Sequence, residues 1–282
     1  MGLIIDCHTH VNNYKDETVA ALPDELVRLQ TTMRRNRVDV ALVLTSYKVV
    51  PGRPSARAVV EATRHLPNIH VVAGIGWATF GPADVEELRS LLEAGAIKGL
   101  KLYPGYEPFY PADPKLEPAY RLAEEFNVPV MIHTGDTYAP TGKVKYSHPL
   151  HVDEVAVDFP KVKFLICHLG NPWFRDCMEV VYKNDNVYTD ISGLTLGEFT
   201  DRFEAYMRQQ LKEMILWGLN PNKVLYGSDW PLASMESYLQ FMDELKLPPR
   251  DKDMMFFENA AALFKLDVPR EATGFGSFLR KI

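Results

Sequence analysis

Cysteine is scarce in this sequence, and no pair of cysteines has redox or metal-binding spacing. The 282 residues contain three cysteines, an odd number, and none of them forms a CxxC motif. A small protein held together by disulfide bonds would need a larger and even set. The sequence therefore predicts a protein of a reducing compartment, the cytoplasm.

Concentrated positive charge and long apolar runs are also missing. The net charge is −6 and no Lys/Arg cluster stands out, whereas nucleic-acid phosphates require a concentrated basic face. No apolar run approaches the roughly 18 residues of a membrane span. No basic segment precedes the first apolar residues, as a secretion signal requires. Neither a nucleic acid nor a membrane is therefore expected as a partner.

Eight short apolar runs with strand character recur along the chain. Many of them are rich in Val and Ile, and they end in Gly, Pro, Ser or other polar residues. Their spacing is about that of a strand–helix unit. The runs are Leu3–His10, Val38–Ser46, Ile69–Gly76, Ile97–Pro104, Val128–Gly135, Val162–Gly170, Val187–Gly193 and Lys223–Pro231.

The segments between the runs carry helical periodicity, which indicates a (β/α)₈ barrel. Apolar residues recur at helical spacing from Leu22 to Met33 and from Phe203 to Met214. A doubly wound open sheet is the alternative, but its GxGxxG motif is missing and Gly74–Gly76 is only a fragment of one. With no linker or low-complexity segment, residues 1–282 are predicted to form a single TIM-barrel domain.

The first run ends in Asp6-Cys7-His8-Thr9-His10. Because successive side chains of a strand alternate between its faces, Asp6, His8 and His10 are expected to point into the barrel mouth. Ile5 and Cys7 are expected to point outward, toward the helices. Lone histidines near strands are mostly structural, but two imidazoles at alternate positions can reach one metal ion, and this motif favours a metal site.

Three other runs place a histidine or aspartate just before the strand stops. His133 lies near the end of the fifth run, His168 near the end of the sixth, and Asp229 near the end of the eighth. The carboxyl ends of barrel strands meet at the catalytic face, and imidazole with carboxylate suits Zn²⁺, Mn²⁺ or Fe²⁺. Cys167, next to His168, is expected to point outward into the core.

A lysine, Lys101, lies near the end of the fourth run, two residues before Tyr103. An ammonium group inside a barrel is costly unless it is paired or modified. A salt bridge to Asp6 or Asp229 is the structural interpretation of this lysine.

The loop after the fourth run, residues 104–118, contains five prolines together with Tyr106, Phe109 and Tyr110. Loops that follow barrel strands lie on the catalytic face, so this segment is either a substrate lid or a rigid loop packed on the surface.

The candidate ligands of the barrel mouth resemble the motif set of the amidohydrolase superfamily. They are Asp6-x-His8-x-His10, His133, His168 and Asp229. Glu258–Phe264 and His168–Trp173 are similar to segments of its amidohydrolase-related branch. This branch includes hydrolases and non-oxidative decarboxylases similar to aminocarboxymuconate semialdehyde decarboxylase. The resemblance covers essentially the whole chain, and it is specific for the superfamily but not for a substrate.

The resemblance implies a role for each matching residue. His8, His10, His133 and Asp229 would bind one or two divalent metal ions, zinc most of all, with manganese as the alternative. His168 would ligate a second metal or polarise the reactive water, and Asp229 would take a proton from that water. In members with two metals a carboxylated lysine bridges them, and Lys101 lies near that position. An uncarboxylated Lys101 would instead bind a substrate carboxylate, with Tyr103 as a further substrate-binding residue.

Two residues have weaker claims to the substrate. His148 lies in the loop after the fifth strand, which faces the active site, although a surface histidine at a helix start is more common. Trp173 follows the metal-site residue His168 closely and would line either the pocket or the core.

These features predict a metal-dependent hydrolase of a small-molecule amide, lactone or ester. A metal-dependent non-oxidative decarboxylase of a small carboxylic acid is the alternative. A barrel that binds a metal without catalysis is a third hypothesis, which the complete ligand set argues against. Barrels of this type often dimerise, so a homodimer is one expectation.

Overall fold

The computed structural model describes residues 2–12, 14 and 20–267, and within them eight parallel strands follow one another around a sheet in chain order. Each strand lies inside one of the eight predicted runs, so the predicted barrel is confirmed. The strands are β1 (Ile5–Thr9), β2 (Val40–Leu44), β3 (Ile69–Gly74), β4 (Gly99–Leu102), β5 (Val130–Ile132), β6 (Phe164–Ile166), β7 (Val187–Asp190) and β8 (Val224–Leu225).

The barrel closes between its last and first strands, beyond the short regular part of β8. The Cys7 amide donates to the Tyr226 carbonyl at 3.0 Å, and the His10 amide donates to the Trp230 carbonyl at 2.7 Å. The Asp229 amide donates back to the His8 carbonyl at 2.8 Å. The segment after β8 therefore runs beside the first histidine motif.

Helices connect the strands and surround the barrel, as right-handed β–α–β units require. Most of the two apolar stripes that the sequence indicated, from Leu22 to Met33 and from Phe203 to Met214, is buried, but Leu22 is half-buried and Phe203 is exposed. The helices are α1 (Leu22–Asn36), α2 (Ala56–Thr63), α3 (Pro82–Glu93), α4 (Glu117–Phe126), α5 (Leu150–Asp158), α6 (Phe174–Lys183), α7 (Asp201–Trp217), α8 (Met235–Glu244), α9 (Pro249–Asp253) and α10 (Asn259–Leu263).

Two apolar clusters form the core. The larger one lies between strands and helices, where residues such as Val43 and Ile132 meet the inner faces of the helices. The smaller one, the inner cluster, lies inside the barrel, where α10 closes one end. Its buried members are Ile5, Cys7, Val40, Leu42, Leu44, Val72, Met131, Leu165, Cys167, Leu225, Ala260, Leu263, Phe264 and Leu266.

No helix in the described part of the chain is both long enough and apolar enough to cross a bilayer. The predicted single domain spans 1–282, of which residues 1, 13, 15–19 and 268–282 lie outside the described residues.

Candidate metal centre

The two histidines of the first motif reach the barrel mouth through an irregularity in β1. The pairing of β1 with β2 shifts register between Asp6 and Thr9, and such a break re-aims the side chains that follow it. Strict alternation was therefore the wrong expectation: Ile5 and Cys7 belong to the inner cluster rather than to the strand–helix layer.

Asp6 has a supporting position beneath the site. Its carboxylate accepts hydrogen bonds from the Ser228 amide at 3.0 Å, the Ser228 hydroxyl at 2.6 Å and the His8 amide at 3.1 Å. Burial raises the pKa of Asp6 to about 7, although these hydrogen bonds oppose the shift. Asp6 therefore ties the segment after β8 to β1.

His8, His10 and Asp229 converge at the mouth. The Asp229 Oδ1 atom lies 3.2 Å from His10 Nε2 and 3.7 Å from His8 Nε2. All three residues are buried, and their ligand atoms lie within 4.8 Å of one another. One carboxylate and two imidazoles within this distance form a donor set that a divalent ion can bind.

The opposite ring nitrogen of each histidine is held in place. His8 Nδ1 donates to Asp190 Oδ2 at 2.8 Å, and His10 Nδ1 donates to the Leu44 carbonyl at 2.8 Å. These bonds fix the tautomer that leaves Nε2 unprotonated, the usual arrangement around histidine metal ligands. The histidines therefore present their lone pairs to the centre.

His168 joins this group from the end of β6. Its Nδ1 atom donates to the Ser192 carbonyl at 3.0 Å, which leaves Nε2 unprotonated. The His168 and His8 rings are 4.9 Å apart between centroids. His8, His10 and Asp229 form one triad of potential metal ligands, and His8, Cys167 and His168 form a second.

His133 lies beside His168, with ring centroids 5.1 Å apart, but it is in neither triad. Its Nε2 atom donates to the Asp136 carbonyl at 3.0 Å, so Nδ1 is its unprotonated nitrogen. The structure therefore gathers His8, His10, His168 and Asp229 tightly, with His133 at the edge.

The backbone is strained where two of these residues attach. His168 has φ 65° and Asp229 has φ 65°, a conformation that residues other than glycine adopt uncommonly. Such conformations cluster at functional sites, where the surrounding structure holds them. At Gly193, with φ 60°, a Cβ atom would lie 2.4 Å from His168 Nδ1. Only glycine therefore leaves room for His168.

Electrostatics favour metal binding. Burial, together with the nearby Lys101 charge, lowers the pKa of His8 to about 3, so its imidazole is neutral. Although burial alone would raise the pKa of Asp229, its contacts with His10, His8 and His168 lower that pKa to about 2. Metal ligands must be deprotonated, and these residues meet that condition near neutral pH.

Lys101 is buried in the barrel interior with 1% of its surface exposed. It pairs with Met131, two residues before His133, and its Nζ atom donates to Cys167 Sγ at 2.7 Å. Neither Asp6 nor Asp229 forms an ion pair with it among the described residues. The expectation that Cys167 points outward is wrong, since this thiol faces the interior.

The sequence of this barrel matches one known family. The family model for amidohydrolases, Amidohydro_2, matches residues 5–266. The chain belongs to the amidohydrolase family. A comparison with curated protein sequences finds no match.

Solved structures share the barrel of this amidohydrolase at low sequence identity. A TIM-barrel protein from Bordetella bronchiseptica is 19% identical, covers 94% of this chain and 99% of its own, and has a TM-score of 0.74. A dihydroxybenzoic acid decarboxylase from Polaromonas, with bound manganese and 2-nitroresorcinol, is 15% identical with a TM-score of 0.68 over 98% and 100% of the chains. A candidate 2-pyrone-4,6-dicarboxylic acid hydrolase from Pseudomonas putida is 16% identical with a TM-score of 0.68 over 95% and 100%.

Two adjoining cavities open onto the metal centre of this amidohydrolase. The larger, of about 320 Å³, is lined by Asp229, Leu194 and Phe203, and the smaller, of about 160 Å³, by His8 and His10. The residues that line both are Tyr106, His133, Tyr138, His168 and Leu232.

The smaller cavity has a cationic and phenolic wall. Lys48, Arg53 and Lys101 line it, and none of the described residues that line it carries a carboxylate. The tyrosines of the wall are Tyr14, Tyr47, Tyr103, Tyr106 and Tyr138. This cavity therefore favours an anionic ligand.

Tyr103 lines the smaller cavity, as the substrate-binding prediction requires, and its hydroxyl donates to the Thr45 carbonyl. Most of the proline-rich loop is packed against the barrel. The Glu107 carboxylate accepts from the Trp77 and Ala78 amides, both at 2.9 Å. Phe109 is buried and stacks on Trp77, with ring centroids 5.5 Å apart. This packing favours the rigid-loop interpretation.

His148 and Trp173 contact each other rather than the metal centre. Their ring centroids lie 4.6 Å apart, and His148 Nε2 is 3.8 Å from Asp176 Oδ2. Neither residue lines the two cavities. The structure therefore does not bring them together with the other predicted site residues.

Asp190 is the main site residue that sequence reasoning missed. Besides the bond from His8, it accepts from the His168 amide at 2.8 Å and the Ser192 amide at 3.1 Å. Burial alone would raise its pKa, but His8 and His168 hold that pKa well below its usual range. Asp190 is the last residue of β7 and lies near the end of the seventh run, so the rule that identified His133 and His168 would also have found it.

Proposed function

We propose that this amidohydrolase is a metal-dependent hydrolase of a small-molecule amide, lactone or ester that also carries a carboxylate. The observation that carries the proposal is the convergence of His8 Nε2, His10 Nε2 and Asp229 Oδ1 at the barrel mouth. Each imidazole is oriented by a bond at its other nitrogen.

The donor set fits a divalent ion, which His8, His10 and Asp229 would hold, with His133 or His168 completing the set. When bound, the ion would lower the pKa of a coordinated water toward 7 and polarise a substrate carbonyl. Asp229 lines the larger cavity, where its carboxylate can accept a proton from the attacking water and return it to the leaving group. His168 lines the same cavity and orients the water or the carbonyl.

The cationic wall supplies the substrate-binding part of the proposal. Lys48, Arg53 and Lys101 line the smaller cavity and form no ion pair with a carboxylate in the described part of the chain. A substrate carboxylate would pair with these charges while the scissile bond lies near Asp229. Charge-assisted hydrogen bonds of this kind are about twice as strong as neutral ones.

The test is hydrolysis by protein loaded with zinc or manganese. The substrates are a panel of lactones, esters and amides with and without a carboxylate, and the carboxylic acid product is quantified by chromatography. We expect turnover of carboxylated members, and we expect Asp229→Asn to lower kcat/KM by about 10²- to 10⁴-fold. Asp158→Asn, which changes an exposed aspartate, is the matched control and should leave the rate unchanged.

Metal content measured on the same samples separates loss of the ion from loss of the base. Full turnover by Asp229→Asn, or formation of the carboxylic acid product that does not depend on added metal, would contradict the proposal.

Decarboxylation is the second candidate, and the cationic wall of the smaller cavity favours it. A wall of cations beside a metal centre could hold the carboxylate that leaves as CO₂. Solved structures with this fold include a dihydroxybenzoic acid decarboxylase. Release of CO₂ from 2-hydroxybenzoate-type acids, with no hydrolysis product from lactones or amides, would favour decarboxylation over hydrolysis.

Three finer points belong to the same proposal. Zinc is proposed as the metal, with manganese as the alternative, because imidazole with carboxylate suits both. A cytoplasmic location is consistent with the three cysteines, which are free and buried. A single domain over 1–282 and a homodimer remain predictions.

A further inference from the structure

Asn12 has an unsatisfied polar atom at the edge of the metal centre. The residue is 3% exposed and lines the smaller cavity. Its Nδ2 atom donates to the Tyr14 hydroxyl at 3.3 Å, while its Oδ1 atom has no hydrogen-bond partner within residues 2–12, 14 and 20–267. If the amide were rotated, its NH₂ group would take the place of the oxygen. In either orientation, one side of the amide has no hydrogen-bond partner among the described residues.

Unpaired buried polar groups cost folding free energy and are rare in native proteins. This cost in folding free energy is tolerated where a bound ligand supplies the missing hydrogen bond. Because Asn12 borders a cavity rather than packed core, a molecule in that cavity can reach its side chain.

The other polar groups of the cavity make Asn12 distinctive. Lys48, Arg53 and Lys101 can only donate hydrogen bonds. The Tyr103 hydroxyl donates its proton to the Thr45 carbonyl, and the Tyr106 hydroxyl accepts from the Tyr138 amide. In the orientation with Nδ2 toward Tyr14, the Asn12 carbonyl is therefore an acceptor that no described residue engages, on a wall with three cationic donors.

We propose that Asn12 is a specificity-determining residue that accepts a hydrogen bond from a hydroxyl or N–H group of the substrate. This inference rests on the proposed function, since it concerns the molecule whose carboxylate pairs with the cationic wall. The substrate class is then a small carboxylic acid that also carries a hydrogen-bond donor.

The first experiment measures binding rather than turnover. Dissociation constants for benzoate and for 2-, 3- and 4-hydroxybenzoate are determined by calorimetry on metal-loaded protein. We expect at least one hydroxybenzoate to bind about tenfold more tightly than benzoate, the ratio that one net hydrogen bond supplies. In Asn12→Leu that ratio should fall to about one, while the affinity for benzoate changes by less than about twofold.

A preference for hydroxybenzoate that persists in Asn12→Leu would overturn the proposal, as would wild-type protein that binds benzoate as tightly as all three hydroxybenzoates. If none of the four acids binds to wild-type protein, the carboxylate part of the proposed function fails. The role of Asn12 is then decided by a second measurement.

That measurement is the thermal unfolding midpoint of ligand-free protein. A residue kept for binding should cost nothing to replace, so Asn12→Leu should unfold at the wild-type temperature or above it. The matched control is Asn184→Leu, since Asn184 is 8% exposed and its amide donates to Asp153 and to the Val180 carbonyl. That variant should unfold several degrees lower. A similar loss in Asn12→Leu would mean that Asn12 is structural, and would overturn the proposal.

Discussion

His8 and Asp190 form a buried hydrogen bond of 2.8 Å between Nδ1 and Oδ2. The same carboxylate accepts from the backbone amide of His168 at 2.8 Å. One side chain on β7 therefore orients two histidines that arise from β1 and β6. Through these bonds Asp190 sets the tautomer of His8 and the backbone position of His168.

Asp190→Asn is expected to weaken metal binding by about 10- to 100-fold, the usual effect of removing a partner that orients a ligand. The amide can still bond to His8 but no longer carries the charge that favours donation from Nδ1. Metal titration with a competing chelator measures the affinity. Asp185→Asn, an exposed change nearby in sequence, is the control. Equal affinities for the three proteins would mean that Asp190 does not support the metal centre.

Gly193→Ala is expected to lower the free energy of unfolding by about 1–3 kcal/mol, because it adds backbone strain and forces His168 to move. Gly197→Ala separates these causes, since Gly197 also has a positive φ of 72° but its Cβ would meet nothing within 4 Å. Urea denaturation of both variants gives the two free energies. Only Gly193→Ala should also reduce turnover. Identical behaviour of the two variants would rule out a displacement of His168.

Lys101→Met is expected to raise KM for a carboxylated substrate by about 10- to 100-fold, the loss of a hydrogen bond to a charged group. Since Lys101 Nζ is bonded to Cys167, we expect an uncarboxylated lysine and about one metal per chain. Elemental analysis with and without added bicarbonate measures that content. Lys161→Met, at an exposed lysine, is the control for KM. About two metals per chain, dependent on bicarbonate, would instead indicate a carboxylated Lys101.

Glu107→Ala is expected to lower the free energy of unfolding by about 1–3 kcal/mol, because the Trp77 and Ala78 amides lose their acceptor. The same change should raise KM, since the neighbouring Tyr106 lines both cavities. The control Glu117→Ala removes an exposed carboxylate that pairs with Arg121. A Glu107→Ala protein with wild-type stability would show that Glu107 does not hold this loop.

The positions of the strands and of most site residues could be predicted because both depend on local sequence. A Val- and Ile-rich run that stops at a polar residue specifies a strand and its end, and barrel topology brings those ends together. His8, His168 and Asp229 were found in this way. Asp190 follows the same rule and could have been found too.

Features that depend on neighbouring segments could not be predicted. The irregularity between Asp6 and Thr9 arises from the pairing of β1 with β2. Strict alternation therefore predicted that the Cys7 side chain faces the helices, whereas it lies inside the barrel. Arg53 reaches the smaller cavity from the loop after β2, and loop paths depend on packing rather than on pattern. His148 and Trp173 were placed by their distance along the chain from site residues, yet their loops turn them toward each other.

The junction between β8 and β1 has one further consequence. His8 and His10 lie on one side of this seam, and Asp229 lies on the other. The reactive centre is therefore assembled only when the ring of strands is complete, and a nascent chain that lacks its last strand has no such centre. A circular permutant cut in an exposed loop elsewhere would preserve the seam, whereas one cut between Ser228 and Trp230 would leave Asp229 at a chain end and interrupt the segment that holds it beside His8.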